Sequence, residues 1–310
     1  MKAWHALFAL LVFPGLLYAL PMGWFMLGAG RKLMARFQGR IGPPLSQPFY
    51  DVVKLLAKQP VARVPAEKWL LTGLPLLAVG AMLGALALLP VFSSETGFVG
   101  DLVLLVGLLE LPPLCMILAG YASRSIYGEV GATREATLSI ASNIPFLAAL
   151  AAMATAAGSL HLSQIAVATP WLVRLPALLT ILLCLPVKLR TNPFSLSNAE
   201  QEILAGPLTE FDGRQLALWE LAHGLEWVAL TGFVATLAVP LRSSHLFFDF
   251  LGFVLISLAL VLLLNLLAAI TARLKLWQAT RLLWRWASLL AAVALAASFY
   301  LTFYLRHGGY

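Results

Sequence analysis

The residues best suited to chemistry in this sequence are carboxylates that lie within or beside apolar stretches. The segment Asn192–Arg214 separates two strongly apolar stretches and carries Glu200, Glu202, Glu210 and Asp212. Carboxylates at the edge of an apolar medium can pass protons into or out of a membrane interior. The alternative is a solvated connecting loop, which explains the same charges. Charge alone does not separate the two interpretations.

Glu110 lies midway along an apolar stretch, in LLVGLLELPPLC, with no positive neighbour nearby in sequence. An acid at the centre of a bilayer costs roughly 2.5–3.5 kcal/mol, so this side chain is predicted to face the interior of a helix bundle. It either belongs to a functional path there or makes a structural hydrogen bond to a neighbouring helix.

Glu220, His223 and Glu226 follow one another at spacings of three, which places them within a sector of about 120° on one helix. Such a face can line a hydrated cavity, with the two acids as candidate proton carriers. A metal site is the alternative, although it would need ligands from elsewhere. Asn143 and Asn265, in two further apolar stretches, are predicted to make hydrogen bonds between helices.

The composition is that of a membrane protein, since 61% of the 310 residues are hydrophobic, 11% are charged and the mean hydropathy is +0.88. The net charge of +7 would suit nucleic acid, but the Lys and Arg residues cluster in alternate loops, as orientation signals do. Cys115 and Cys184 fall in apolar stretches without a CxxC or Cys/His cluster, so they are predicted to be core residues rather than metal ligands.

Eight stretches are long enough to cross about 30 Å of hydrocarbon as helices. They are Trp4–Gly28, Trp69–Leu89, Phe98–Tyr121, Leu138–Gly158, Trp171–Leu189, Leu216–Pro240, Leu246–Thr271 and Leu283–Leu305. The first is expected to be retained, because its apolar run is too long for a signal peptide. The sequence therefore predicts an all-α membrane bundle of about eight transmembrane helices and one interfacial helix, forming a single domain over residues 1–310.

The charge distribution predicts which side each loop faces. Seventeen Lys and Arg residues fall in or beside the loops after the odd-numbered stretches, against four on the other side. This bias places both termini outside and the two longer loops, 31–68 and 190–215, in the cytoplasm.

The loop at 31–68 is predicted to contain an amphipathic helix that lies along the membrane surface. Its apolar residues recur at offsets 0, 3, 4 and 7, and its charged residues occupy another face. The apolar set is Phe49, Val52, Val53 and Leu56, and the charged set is Asp51, Lys54 and Lys58.

Three motifs together resemble the NADH dehydrogenase subunit 1 family of respiratory complex I, which includes the mitochondrial protein and the membrane anchors of group 4 nickel–iron hydrogenases. The first is the acidic loop, with Pro193-Phe194, AEQEIL at 199–204, Gly206-Pro207 and EFDG at 210–213. The second is the RIGPP turn at 40–44 with the helix after it, and the third is GATRE at 131–135. The acidic loop looks closest to the hydrogenase branch, such as formate hydrogenlyase.

The resemblance assigns expected roles to individual residues. Those at the cavity mouth or on the surface that docks a hydrophilic arm would be Arg40, Gly42, Pro43, Gln47, Asp51, Lys54, Gly131, Arg134 and Glu135. Glu110, Glu200, Glu202, Glu210, Glu220 and Glu226 are the candidate proton carriers. From the sequence alone, Arg134 and Glu135 form an ordinary loop ion pair that contributes little to stability.

The sequence departs from the family at three positions where the family generally has acids, namely Asn143, Ser195 and Asn198. These side chains form hydrogen bonds but do not take up and release protons near neutral pH. The proton path is therefore expected to be rerouted through Glu220 and Glu226 or lost, which would weaken proton translocation.

The resemblance implies a membrane-anchor subunit in the inner membrane of a bacterial cell, with no redox centre of its own. Its expected partners are a cytoplasmic hydrogenase-type arm, with a nickel–iron centre and iron–sulfur clusters, and antiporter-like membrane subunits. Two alternatives remain open: the quinone-site subunit of an NADH- or ferredoxin-dependent quinone reductase, and an ion or solute carrier that works alone. A carrier would purify as an active unit, whereas the subunit would co-purify with iron–sulfur proteins.

Overall fold

The protein is an assembly of helices in which apolar stretches alternate with short loops. Its structure, a computed structural model, describes residues 8, 10–59, 65–90, 100–239 and 246–307. The α-helices, in chain order from α1 to α12, are Leu16–Phe37, Gln47–Ala57, Pro65–Ala87, Asp101–Ala122, Ile126–Ala157, Leu162–Ala168, Trp171–Lys188, Glu200–Ile203, Gly213–Ala238, Leu246–Ile270, Leu276–Leu282 and Ser288–His307. A 3₁₀ turn at Gly206–Leu208 precedes α9, and a π-helical segment at Leu283–Ala287 joins α11 to α12. The described ranges contain no β-strand.

Seven helices in the described ranges are long and apolar enough to cross a membrane, counting Leu276–Tyr304 as one continuous helix. The predicted all-α polytopic bundle is thereby confirmed. The first predicted stretch, Trp4–Gly28, lies partly outside the described residues. The corresponding helix, α1, continues to Phe37 and carries Arg31 and Arg36 in its last turns. Its described part therefore extends further toward the C-terminus than the predicted stretch does.

Helix α5 differs from the prediction because it begins at Ile126 rather than near Leu138. The GATRE motif, expected as a turn, is therefore helical. The two glycines of α5, Gly128 and Gly131, do not break the helix because they lie where other parts of the backbone approach closely. A Cβ on Gly128 would lie 3.0 Å from the Gly120 carbonyl oxygen of α4.

Helix α9 forms the centre of the bundle, since 83% of its span is buried inside the protein, against 22% for the last span. It packs on α1, α2, α3 and α10. A Cβ on Gly23 of α1 would lie 2.6 Å from the Gly224 carbonyl oxygen, so α1 and α9 meet backbone to backbone. Small residues permit this approach, as is usual between membrane helices.

The predicted amphipathic helix is present as α2, with Pro48 in its first turn. Val52 is buried, while Phe49, Val53 and Leu56 stay exposed on the apolar side. The exposed part of the predicted stripe therefore remains available to a membrane surface.

The acidic loop, residues 192–214, is held against α5 by a steric fit. A Cβ on Gly131 would lie 2.5 Å from the Pro207 ring and 2.9 Å from the Ser197 carbonyl oxygen. Gly206, at φ +54°, approaches the same carbonyl and adopts a left-handed conformation that glycine tolerates best. The loop can sit where it does only because both positions lack a side chain.

We therefore expect Gly131→Ala to destabilise the protein by about 1–3 kcal/mol, because an added methyl group overpacks this contact. Thermal unfolding of the purified protein in detergent measures the effect. Gly107→Ala is the matched control, since it also lies in a transmembrane helix but an added Cβ there meets no atom within 4 Å. Equal unfolding temperatures for the two variants would contradict the proposed fit.

Candidate functional site

A cavity of about 460 Å³ lies between α1, α9 and the acidic loop, which is within the usual size of small-molecule pockets. Met26, Leu27 and Trp227 contribute apolar walls. Its polar lining consists of Arg31, Arg190, Asn198, Glu220, His223 and Asn265. A cavity with apolar walls and a few convergent polar groups is suited to a ligand or to ordered water.

Beside this cavity, the guanidinium of Arg190 joins two buried carboxylates. It contacts Glu226 of α9 directly and lies 3.5 Å from Glu135 of α5, and all three side chains are at most 6% exposed. The His223 ring lies 3.3 Å from both Arg190 and Glu226. Burial alone would lower the pKa of Arg190, but the charges of Glu226 and Glu135 outweigh it and raise the pKa above its ordinary value. Arg190 therefore stays charged.

The local backbone directs Arg190 into this position. It lies two residues beyond the end of α7 with φ at +53°, a conformation that costs a non-glycine residue about 1–3 kcal/mol. The turn is closed by hydrogen bonds from the Arg190 and Thr191 N–H groups to the carbonyls of Val187 and Pro186. Two carboxylates that would otherwise be buried without a cation hold this conformation in place.

A second polar cluster joins three helices through Glu110, Asn143 and Lys188. The Asn143 amide donates to Glu110 Oε2 at 2.8 Å, and Lys188 Nζ donates to Asn143 Oδ1 at 2.8 Å while also contacting Glu110 directly. The Lys188 ammonium also lies 4.3 Å from the centre of the Phe146 ring. The expected interhelical role of Asn143 is thus present, and Glu110 faces the interior.

Lys188 and Arg190 are the cations of these two clusters, and sequence reasoning missed both. Glu110 has no cation near it in sequence because its partner lies 78 residues further along the chain. The available signal was the position of Lys188 inside the last turn of a predicted span, where a charge requires a partner. Only one residue separates Lys188 from Arg190, so the two polar clusters adjoin.

Arg134 and Glu135 do not pair with each other, which corrects the sequence interpretation. Successive residues on a helix point in different directions. Arg134 pairs with Glu202 of the acidic loop at 2.6 Å and donates to the Leu196 carbonyl oxygen at 3.3 Å, while Glu135 turns inward to Arg190. The GATRE motif therefore contacts the acidic loop through Arg134 and the buried Arg190 cluster through Glu135.

Asp51 ties α2 to α1 through Arg31, which lines the cavity. It accepts hydrogen bonds of 2.8 Å from Arg31 and Gln47. Burial alone would raise its pKa, but these bonds, together with the charges of Arg31 and Lys54, hold the pKa below its usual value. The resulting stabilisation is present above the ordinary aspartate pKa and is lost as the pH falls through the lowered one. Gly42, at φ +75°, forms the turn between Arg40 and Pro43.

The remaining candidates occupy different surroundings. Glu220 lines the cavity, Glu210 is half-buried at the end of the acidic loop, and the side chain of Glu200 lies outside the described residues. Neither Glu220 nor Glu210 belongs to the two buried clusters. Ser195 bonds to Asn192 and accepts a hydrogen bond from Arg273, while Asn198 lines the cavity.

Asn265 does not bridge helices as predicted. Its amide donates to the Val261 carbonyl oxygen of its own helix at 2.8 Å. The side chain instead lies over Gly30 of α1, where a Cβ would meet its oxygen at 2.9 Å.

The described residues contain no group of three or more His, Cys, Asp and Glu side chains that could hold a metal ion. His223 and Glu226 instead both contact the Arg190 guanidinium.

The Arg190 cluster predicts a large effect on stability. Arg190→Met should destabilise the protein by about 3–5 kcal/mol, because it leaves Glu135 and Glu226 buried without a cation. Thermal unfolding in detergent at neutral pH measures the loss. Arg214→Met, which removes an exposed arginine, is the control and should change little. A small, equal effect of both substitutions would show that the buried pairs do not stabilise the fold.

Comparison with known proteins identifies relatives of this chain. Residues 9–299 match the family model described as NADH dehydrogenase. The chain is 34% identical to Hydrogenase-4 component C of Escherichia coli over 78% of this chain and 80% of that protein. It is 32% identical to NADH-quinone oxidoreductase subunit 8 of Thermus thermophilus, covering 75% of this chain and 68% of the relative. A chain of the membrane-bound sulfane sulfur reductase, an archaeal respiratory membrane complex, superposes with a TM-score of 0.85 at 26% identity, over 95% of this chain and 98% of that one.

Proposed function

Because this chain belongs to the NADH dehydrogenase family, we propose that it is the membrane-anchor and coupling subunit of a complex I-like respiratory complex. The arm that it docks would be of the nickel–iron hydrogenase type, related to formate hydrogenlyase. The observation that carries the coupling role is the cavity beneath the acidic loop, whose wall includes Arg190 of a buried ion-pair cluster. As a multi-pass protein it would reside in the bacterial inner membrane with both termini outside.

The hydrogenase assignment rests on sequence similarity and on the acidic loop. Hydrogenase-4 component C shows a higher identity than the NADH-quinone oxidoreductase subunit of Thermus thermophilus and is matched over more of its length. The nickel–iron centre and iron–sulfur clusters would then reside in partner subunits, and antiporter-like subunits would complete the membrane arm.

The docking role is supported by how three segments are connected. Arg134 of segment 123–135 pairs with Glu202 of segment 192–214 at 2.6 Å. The third segment, 40–58, contains α2, which packs on α9 directly after the acidic loop. We call these three segments together the docking surface. A stable arm should bury more than about 1,000 Å² against it.

The coupling role is supported by the two adjoining polar clusters. A ligand or a charge in the cavity lies beside Glu220, His223 and Arg190, which line it. Arg190 connects this wall to Glu226 and Glu135, and Lys188 then begins the cluster with Glu110. We place the remaining proton route through Glu220 and Glu226, with weakened translocation where Asn143 replaces an acid.

A second candidate is the quinone-site subunit of a quinone reductase. It is favoured by the apolar walls of the cavity and by its size, which suits an aromatic headgroup. Reduced-minus-oxidised spectra of the purified complex, with and without added quinone, distinguish the two functions. Reoxidation of iron–sulfur clusters by quinone would support this second candidate, and its absence during hydrogen turnover would support the first.

The docking surface can be tested by charge reversal. Arg40 and Lys54 are exposed on it, so changing both to Glu should weaken arm retention by up to roughly 30-fold, since each surface charge contributes at most about 1 kcal/mol. Co-purification of iron–sulfur proteins, quantified by mass spectrometry, measures retention. Leu160→Glu adds an acid beyond the opposite end of α5 and is the control. Unchanged retention in the double variant would argue against docking at this surface.

The coupling role predicts a gain when the missing acid is restored. Asn143→Asp should raise proton uptake per electron, because Lys188 then lies between two carboxylates and one of them can exchange a proton. Asn143→Gln keeps the amide and should leave the ratio unchanged. The measurement is proton uptake by proteoliposomes that contain the whole complex during turnover. Full stoichiometry in the unmodified complex, together with intact pumping by Glu110→Gln and Glu220→Gln, would refute this assignment.

A further inference from the structure

The last part of the chain concentrates positive charge without any acid to balance it. Arg273, Lys275, Arg281 and Arg285 lie within thirteen residues, and no Asp or Glu follows Asp249 in the sequence. Within the described ranges, Lys275, Arg281 and Arg285 form no ion pair. We call residues 273–286 the basic segment. Its cations are available to an external anion.

The basic segment lies on the same membrane face as the acidic loop. The Leu274 N–H donates to the Pro193 carbonyl oxygen at 3.0 Å, and Arg273 Nε donates to Ser195 Oγ at 3.3 Å. From there α11 leads through the π-helical segment into the last transmembrane helix. The basic segment is therefore positioned where that span leaves the membrane.

Three tryptophans accompany the cations, and all are more than half exposed: Trp277, Trp284 and Trp286. Exposed indoles at the end of a span favour the headgroup region of a bilayer. The Arg281 guanidinium lies 4.8 Å from the centre of the Trp277 ring, and that of Arg285 lies 5.9 Å from the Trp286 ring. Stacking orients a guanidinium while leaving N–H groups at its edge for an anion.

An exposed apolar path continues from these cations along the helix. Leu289 and Val293 follow Arg285 at spacings of four, and both are exposed. The span to which they belong is the least buried of the candidate spans in the described ranges, at 22%. This arrangement offers cations for a phosphate group and, below it, an apolar surface for hydrocarbon chains.

We propose that the basic segment binds an acidic phospholipid of the leaflet on the acidic-loop side. The phosphate would accept hydrogen bonds from Arg281 and Arg285, with Lys275 adding charge, and the acyl chains would run along Leu289 and Val293. Basic residues at the membrane surface each contribute to attraction of anionic lipid, and a lipid supplies both the anion and the hydrocarbon that this face presents. A soluble phosphate would satisfy the cations only.

Occupancy of this site would also affect the acidic loop. Arg273 and Leu274 contact Ser195 and Pro193, so a lipid that orders the basic segment also restrains the start of that loop. This consequence concerns the loop's geometry and does not depend on which arm the protein docks.

The test uses the full chain, delipidated in mild detergent, and measures lipid binding by native mass spectrometry. Phosphatidylglycerol should bind at least about tenfold more tightly than phosphatidylethanolamine with the same acyl chains, and added salt should weaken that preference. Arg281→Gln with Arg285→Gln should lower phosphatidylglycerol affinity about 30-fold, as expected for two surface cations. The control pair, Arg36→Gln with Arg40→Gln, removes two exposed cations on α1 and in the RIGPP turn and should change affinity less than about threefold.

Several outcomes would overturn the proposal. Equal binding of the two lipids by the unmodified chain, with no dependence on salt, would do so without any variant having to fold. Equal losses in both double variants would show a general charge effect instead of a site. Displacement of phosphatidylglycerol by millimolar inorganic phosphate would identify a phosphate site. A partner subunit seated on Trp277 and Arg281 in the assembled complex would replace the lipid with protein.

Discussion

The structure depends on one buried interaction, in which the Arg190 guanidinium neutralises Glu226 and partly neutralises Glu135. Buried charges are tolerated only when they are paired, and removal of the cation would leave two acids in an apolar interior. The pairing therefore constrains three elements at once: α5, α9 and the turn after α7. It also explains why an arginine adopts a left-handed backbone conformation there. The same guanidinium also gives the cavity wall a charged group.

Steric fit supplies the second constraint. The acidic loop approaches α5 so closely that Gly131 and Gly206 have no room for a side chain, and Arg134 then fixes the loop through Glu202. Ion pairs of exposed residues contribute little by themselves, so the shape of the contact determines where the loop lies. Because the loop supplies Asn198 to the cavity lining, this backbone contact also determines the volume beneath it.

Much of the architecture could be predicted from sequence because hydropathy and helical periodicity are local properties. They identified the spans, the helix at Gln47–Ala57 and an inward-facing Glu110. They did not identify Lys188 as the partner of Glu110, because pairing over 78 residues depends on tertiary packing. The same limit applies to Arg134, whose assumed pairing with its neighbour ignored helix geometry. Sequence shows that a buried acid requires a cation, and only the fold shows which one.

The two polar clusters differ in charge balance. The Glu110 cluster holds one carboxylate, one ammonium and a neutral amide, so its charges balance. The Arg190 cluster holds one guanidinium and two carboxylates, so one added proton brings it to neutrality. The excess negative charge therefore lies beside the cavity and not at Glu110. Because Asn143 is an amide, the Glu110 cluster remains a balanced ion pair, whereas an acid at this position would have added a second negative charge.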